Sequence, residues 1–149
     1  MKRIPRKPLA AIVCALLLLA VSAYGQIYRY YSPGSVWTVT TIRIKPGMDT
    51  RYLQYLDTDF KKESDGMVKA GYMKSYKILR TMDDDSDSWN LLILREYKDL
   101  ASMEANEEKA DTLSRQLTGD DDKQMKGYED RSAYREVLGT KTARELILK

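Results

Sequence analysis

Hydrophobic and polar positions follow one another along this chain in a way that marks a short series of elements. Val36 to Ile44 (Val-Trp-Thr-Val-Thr-Thr-Ile-Arg-Ile) is rich in β-branched residues and predicts a strand that Pro46 and Gly47 end. Tyr52, Leu53, Leu56, Phe60, Ser64, Met67 and Val68 then recur at spacings near three and four, one stripe of a helix opened by Asp49 as N-cap and closed by Gly71. Tyr72 to Thr81 alternates as a second strand, Met82 to Ser88 is an acidic hairpin loop, and Trp89 to Tyr97 is a third strand. Lys98 to Leu117 reads as a helix with Asp99 near its start. Gly119 to Asp122 interrupts it, with Asp120, Asp121 and Asp122 as carboxylates at a helix start. Lys123 to Leu138 is expected to be a further helical piece, ended by Gly139, and Lys141 to Leu148 a last strand. The order is β-α-β-β-α-β, the split βαβ arrangement of an α+β, ferredoxin-like fold. It predicts a four-stranded antiparallel sheet with its first and third strands central and its helices on one face.

The third strand sets the main constraint. Leu91, Leu92, Ile93 and Leu94 are apolar at every position, although successive side chains of a strand point to opposite faces. One layer of helices covers one face, so the other asks for a second cover, and a second copy of the chain is the simplest candidate.

The N-terminal segment stands apart from this pattern. Lys2, Arg3, Arg6 and Lys7 precede an apolar run from Leu9 to Ala23, and Ala23-Tyr24-Gly25 fits a small-x-small cleavage site. Residues 1–25 are expected to be a secretory signal peptide, 26–35 a linker and 36–149 the folded domain. The run, about 15 residues, is shorter than the ~20 needed to span a bilayer. Membrane contact is expected only through this segment, were it left uncleaved, and the protein is expected to be exported, to a periplasm or beyond the cell.

Cleavage changes the charge and the chemistry. Four of the 25 Lys and Arg lie in the signal, which leaves 21 against 22 Asp and Glu, so a near-neutral domain offers no basic patch for nucleic acid. The single cysteine, Cys14, leaves too, and the chain has no histidine. Thiol nucleophiles, His-based triads and zinc sites with His or Cys ligands are excluded, and no cofactor or metal is expected. Asp83, Asp85 and Asp87 are spaced like the start of a calcium loop, but Ser88 and Leu94 stand where Gly and a bidentate Glu belong. Acid–base work would fall to carboxylates, Tyr or Lys.

The strand ending Ile42-Arg43-Ile44-Lys45-Pro46-Gly47, and the third strand closing in Glu96-Tyr97-Lys98-Asp99, are similar to the dimeric α/β-barrel superfamily of antibiotic-biosynthesis-type monooxygenases and stress-responsive barrel proteins. The likeness covers Val36 to Lys149. Trp89-Asn90-Leu91-Leu92-Ile93-Leu94 and the ending Arg144-Glu145-Leu146-Ile147-Leu148 resemble exported members of no assigned activity. The resemblance implies a homodimer whose sheets pack face to face, with a pocket in each protomer between sheet and helices. On that basis Thr38, Thr40, Ile42, Ile44, Arg95 and Tyr97 face the helices, while Trp37, Val39, Thr41, Arg43, Leu92, Leu94 and Glu96 face the partner, with Arg43 and Glu96 ending adjacent parallel strands as a possible pair. The haem-degrading members' Asn, Trp and His fall here at Thr40, Tyr97 and near Glu107, a departure at all three. Two functions follow as expectations. One is a barrel binding a small apolar or aromatic ligand, or a protein partner, with Thr40, Trp89, Arg95 and Tyr97 as candidate ligand contacts. The alternative is a cofactor-independent monooxygenase-like enzyme acting on an aromatic or polyketide-like substrate beside Tyr97 and Arg95.

Overall fold

The computed structural model describes residues 29–82 and 88–149; the expected signal segment, residues 26–28 of the linker and Asp83, Asp85 and Asp87 lie outside the described residues. Strand β1 runs Tyr31–Ile44, and helix α1 follows as Asp49–Tyr55, a wider π turn over Leu56–Phe60, and Lys61–Lys69. Strands β2 (Ser75–Arg80) and β3 (Leu91–Tyr97) come next, then α2 (Leu100–Ala105), α3 (Glu107–Thr118), α4 (Asp121–Ser132) and β4 (Arg135–Leu148). The sheet order is β2-β3-β1-β4. Ser35–Glu145 is one compact unit; the described residues 29–34 with Leu146–Lys149 belong to a second, in which the Lys149 amide donates to the Tyr30 carbonyl at 3.1 Å.

β1 and β3 are antiparallel in a register that sets Ile42 opposite Leu91, Thr40 opposite Ile93 and Trp37 opposite Glu96; β2 runs antiparallel to β3 on its other side. Contacts of β1 with β4 pass from Ser35–Glu145 through Thr40–Thr140 to Lys45–Tyr134, again in opposite senses. Alternation from this register places Ile42, Ile44, Leu91 and Ile93 under the helices, where they are buried with Tyr52, Leu56, Phe60 and Tyr134.

The four buried positions of α1 (Tyr52, Leu56, Phe60 and Ser64) are each four residues apart. A four-residue step outruns the 3.6 residues of an α turn by about 40°. The wider turn at Leu56–Phe60 takes up this drift and keeps the stripe on the sheet. Gly71, at φ 75°, closes the helix with its amide on the Val68 carbonyl, and Asp99 caps α2 by accepting from the Ser102 amide at 2.6 Å. Asp120 does the same for α4 through the Lys123 amide.

The structure corrects several boundaries. β1 begins at Tyr31, inside the expected linker, although Pro33 and Gly34 are poor strand residues; just ahead of it the Tyr30 carbonyl accepts from the Lys149 amide. Met48, not Asp49, stands at the N-cap of α1; the Asp49 carboxylate turns to Arg80 instead, at 2.5 Å. The helix expected over Lys98 to Leu117 divides at Asn106, whose side-chain amide donates back to the Ser102 carbonyl. The piece expected to stay helical to Leu138 stops at Ser132, and β4 starts at Arg135, since Lys45 draws the Tyr134 carbonyl into the sheet and Tyr134 buries its ring in the core. Gly139 lies within β4.

Candidate functional site

A pocket of about 290 Å³ opens where the end of β3 meets α1, α3 and α4. Arg95 and Tyr97 reach it from β3, Glu63, Ser64 and Met67 from α1, and Ser114 from α3. The Glu63 carboxylate accepts from the Ser114 hydroxyl at 2.7 Å, which fixes one wall. The Arg95 guanidinium lies over the Phe60 ring, 5.2 Å from its centroid, so the core aromatic holds the cation at the pocket's edge. Asp111, Tyr72 and Gln124 complete a rim with two carboxylates, one guanidinium and two phenols, chemistry suited to hydrogen-bonding a polar head while Met67 and Met73 meet an apolar body.

Glu63 and Gln124 also line a larger groove of about 740 Å³ between α1 and α4, whose wall includes Tyr55 and Arg131. Burial raises the Tyr55 phenol above its ordinary range, opposed by the Arg131 guanidinium 4.3 Å from its ring. Tyr52 is pushed up to about 12, again chiefly by burial, and Tyr76 to about 12 by burial and its 2.8 Å hydrogen bond to Asp65. All three stay neutral donors across the physiological range.

Of the residues singled out in the sequence, Arg95 and Tyr97 share the pocket. Thr40 shares a side-chain hydrogen bond with Thr140 on β4 at 3.0 Å, one strand away. Trp89 precedes β3 at its far end, eight residues from Tyr97 and therefore roughly 25 Å along an extended chain. The structure does not gather these four into one site. Glu63, Ser64 and Ser114 were missed, yet Ser64 carried a signal: a hydroxyl on the buried stripe of α1, at 3% exposure.

Trp37, Val39, Thr41, Leu92 and Leu94 lie on the sheet face opposite the helices, where they are half-buried, with Leu79 beside them at 50% exposure. The pairing of Arg43 with Glu96 does not form. β1 and β3 are antiparallel rather than parallel, so Arg43 and Glu96 stand at opposite ends of this face, about 20 Å apart. Arg43 instead meets Glu136 at 3.5 Å and donates to the Ser88 carbonyl. Glu96 accepts from Lys74 at 2.6 Å and Ser75 at 2.5 Å; the bonds from Lys74, Ser35 and Ser75 hold its carboxyl down at about 2.

Among the described residues no group of three or more acidic, His or Cys side chains could hold a metal ion, and no helix is long and apolar enough to cross a membrane.

No family model matches the chain, and no curated protein matches it. Solved structures do. A dimeric ferredoxin-like protein from an uncultured marine organism superposes with a TM-score of 0.50 at 10% identity, over 78% of this chain and 90% of its own. The fold is ferredoxin-like. HapK from Hahella chejuensis gives a TM-score of 0.48 at 10% identity, covering 74% of this chain and 91% of that one. A NIPSNAP family protein of unknown function from Agrobacterium tumefaciens gives 0.47 at 9% identity, covering 78% and 90%. At such identities the ferredoxin-like likeness speaks for the fold alone.

Proposed function

We propose that this is an exported, homodimeric ferredoxin-like barrel of the antibiotic-biosynthesis-monooxygenase and stress-responsive kind, which binds a small apolar or aromatic molecule in the pocket at Arg95 and Tyr97. The observation that carries the dimer is the open sheet face. Trp37, Val39, Leu79, Leu92 and Leu94 form an apolar patch on the sheet face opposite the described helices, and fully burying each such side chain contributes ~1.5–3 kcal/mol. A second copy presenting the same face closes both patches, a self-complementary two-fold contact. The marine relative is described as dimeric, which supports the reading. Export rests on the basic start and apolar run of residues 1–25, and a secreted product beginning at Gln26 is expected by mass.

Light scattering on the purified protein should give twice the chain mass, and Leu94→Arg should return it to one. A wild-type monomer at micromolar concentration refutes the dimer. In a thermal-shift screen, apolar aromatic ligands should raise the melting temperature of wild type and not of Tyr97→Phe with Arg95→Met; no shift with any of them removes the ligand.

The convergence of Arg95, Tyr97 and Glu63 in one pocket favours a second reading, a cofactor-independent oxygenase for an aromatic or polyketide-like substrate. Turnover of anthrone- or quinol-type compounds under oxygen, lost in Tyr97→Phe, would support it; no turnover disposes of it.

A further inference from the structure

Arg135, the first residue of β4, is 8% exposed, and its Nε is sealed from solvent with no hydrogen-bond partner. Among the described residues no carboxylate pairs with it. Its guanidinium sits between two phenol rings instead, 5.7 Å from the centroid of Tyr52 and 5.1 Å from that of Tyr128. Ring faces orient a cation and attract it weakly, but they do not neutralise it. A buried charge left without a counter-ion is costly.

A cleft of about 320 Å³ lies beside this cation, lined by Lys45, Tyr128, Ser132, Arg135, Glu136 and Val137. Its two cations face a single carboxylate, Glu136, which Arg43 already engages at 3.5 Å. Lys45 Nζ donates to the Ser132 carbonyl at 2.9 Å and keeps further donors for a guest. The balance is one positive charge in excess. We infer that this cleft binds a small organic carboxylate. A planar carboxylate matches a guanidinium's donor geometry, Tyr128 and Val137 offer an apolar wall for its body, and Glu136 disfavours a dianion. The site is separate from the pocket at Arg95 and Tyr97.

Calorimetric titration of the purified full chain with benzoate, and separately with inorganic phosphate, tests this. Benzoate is expected to bind saturably with Kd about 1 mM or tighter, more weakly as salt rises, and more tightly than phosphate. Lys45→Met and Arg135→Gln should each weaken it about tenfold or more. Because Arg135→Gln disturbs a packed position, the exposed Lys45 carries the result if that variant does not fold. No saturable benzoate binding, or affinity unchanged in Lys45→Met, overturns the inference, and phosphate binding as tightly as benzoate overturns the carboxylate class. Benzoate binding lost in Tyr97→Phe but kept in Lys45→Met would assign the ligand to the other pocket.

Discussion

The two faces of the central strands are made of the same kind of residue and meet different fates. On the helix side Ile42, Leu91 and Ile93 are buried to 5% exposure or less beneath Tyr52, Leu56 and Phe60. On the other side Leu92, Leu94, Val39 and Trp37 are only half-buried, and Lys77 reaches over the Trp37 ring at 5.6 Å as a thin cover. The composition of β3 does not say which face the chain covers by itself. The covered face is chosen by the partner elements, through the four-residue stripe of α1, while the open face is the one that the proposed dimer would cover.

Substitutions of equal chemistry on the two faces make this contrast measurable. Leu91→Ala, at a site with 0% exposure, should lose ~2–5 kcal/mol in chemical denaturation, independent of protein concentration. Leu92→Ala, one residue along, should lose less, about 1–2 kcal/mol, and the loss should grow with protein concentration as the dimer fills. Equal, concentration-independent losses at both would erase the distinction between the faces.

Glu96 anchors one end of the open face, and its held-down carboxyl ties stability to acid. Its folded value of about 2 lies below the ordinary 4.5, so the stabilisation is complete above pH ~4.5 and is lost as pH falls through ~2. Glu96→Gln should flatten that part of the stability–pH curve and cost about 1.5–3 kcal/mol at neutral pH. A curve unchanged between pH 5 and 2 would show that the Lys74 and Ser75 contacts contribute nothing. Lys77→Ala, which removes the ammonium over the Trp37 ring, should have the smallest effect, about 0.5–1 kcal/mol.

Much of the architecture was readable in advance. The β-branched run of β1, the α1 stripe and the apolar β3 gave the strand order and the faces, because periods of two and near four survive in any packing. The last third was harder. Tyr134, Arg135, Val137 and Leu138 suit a helix end or a strand start, and the contacts with β1, beginning with the Lys45 bond to Tyr134, decide for the strand. The antiparallel sense of β1 and β3 follows from connectivity, and carried through to the register it puts Arg43 and Glu96 at opposite ends of their face rather than side by side. In the pocket, Arg95 and Tyr97 could be found from their place at a strand end. Glu63 and Ser114 could not, since their meeting depends on how two helices lie across each other. The buried charge of Arg135 carries no sequence signal: an arginine after a tyrosine looks like any surface pair.

Asn90 bears on a problem that β3 poses for itself. A ribbon oily on both sides gains almost as much when slid by one residue, so its hydrophobic pattern is nearly blind to alignment. The Asn90 side chain accepts from the Ile44 amide at 2.8 Å and donates to the Ile44 carbonyl at 3.1 Å, while its own amide bonds the Ile42 carbonyl at 3.0 Å. These three bonds clamp β3 to β1 at one rung, and a one-step slip breaks them all together. A single carboxamide thus supplies the alignment that four consecutive greasy positions cannot.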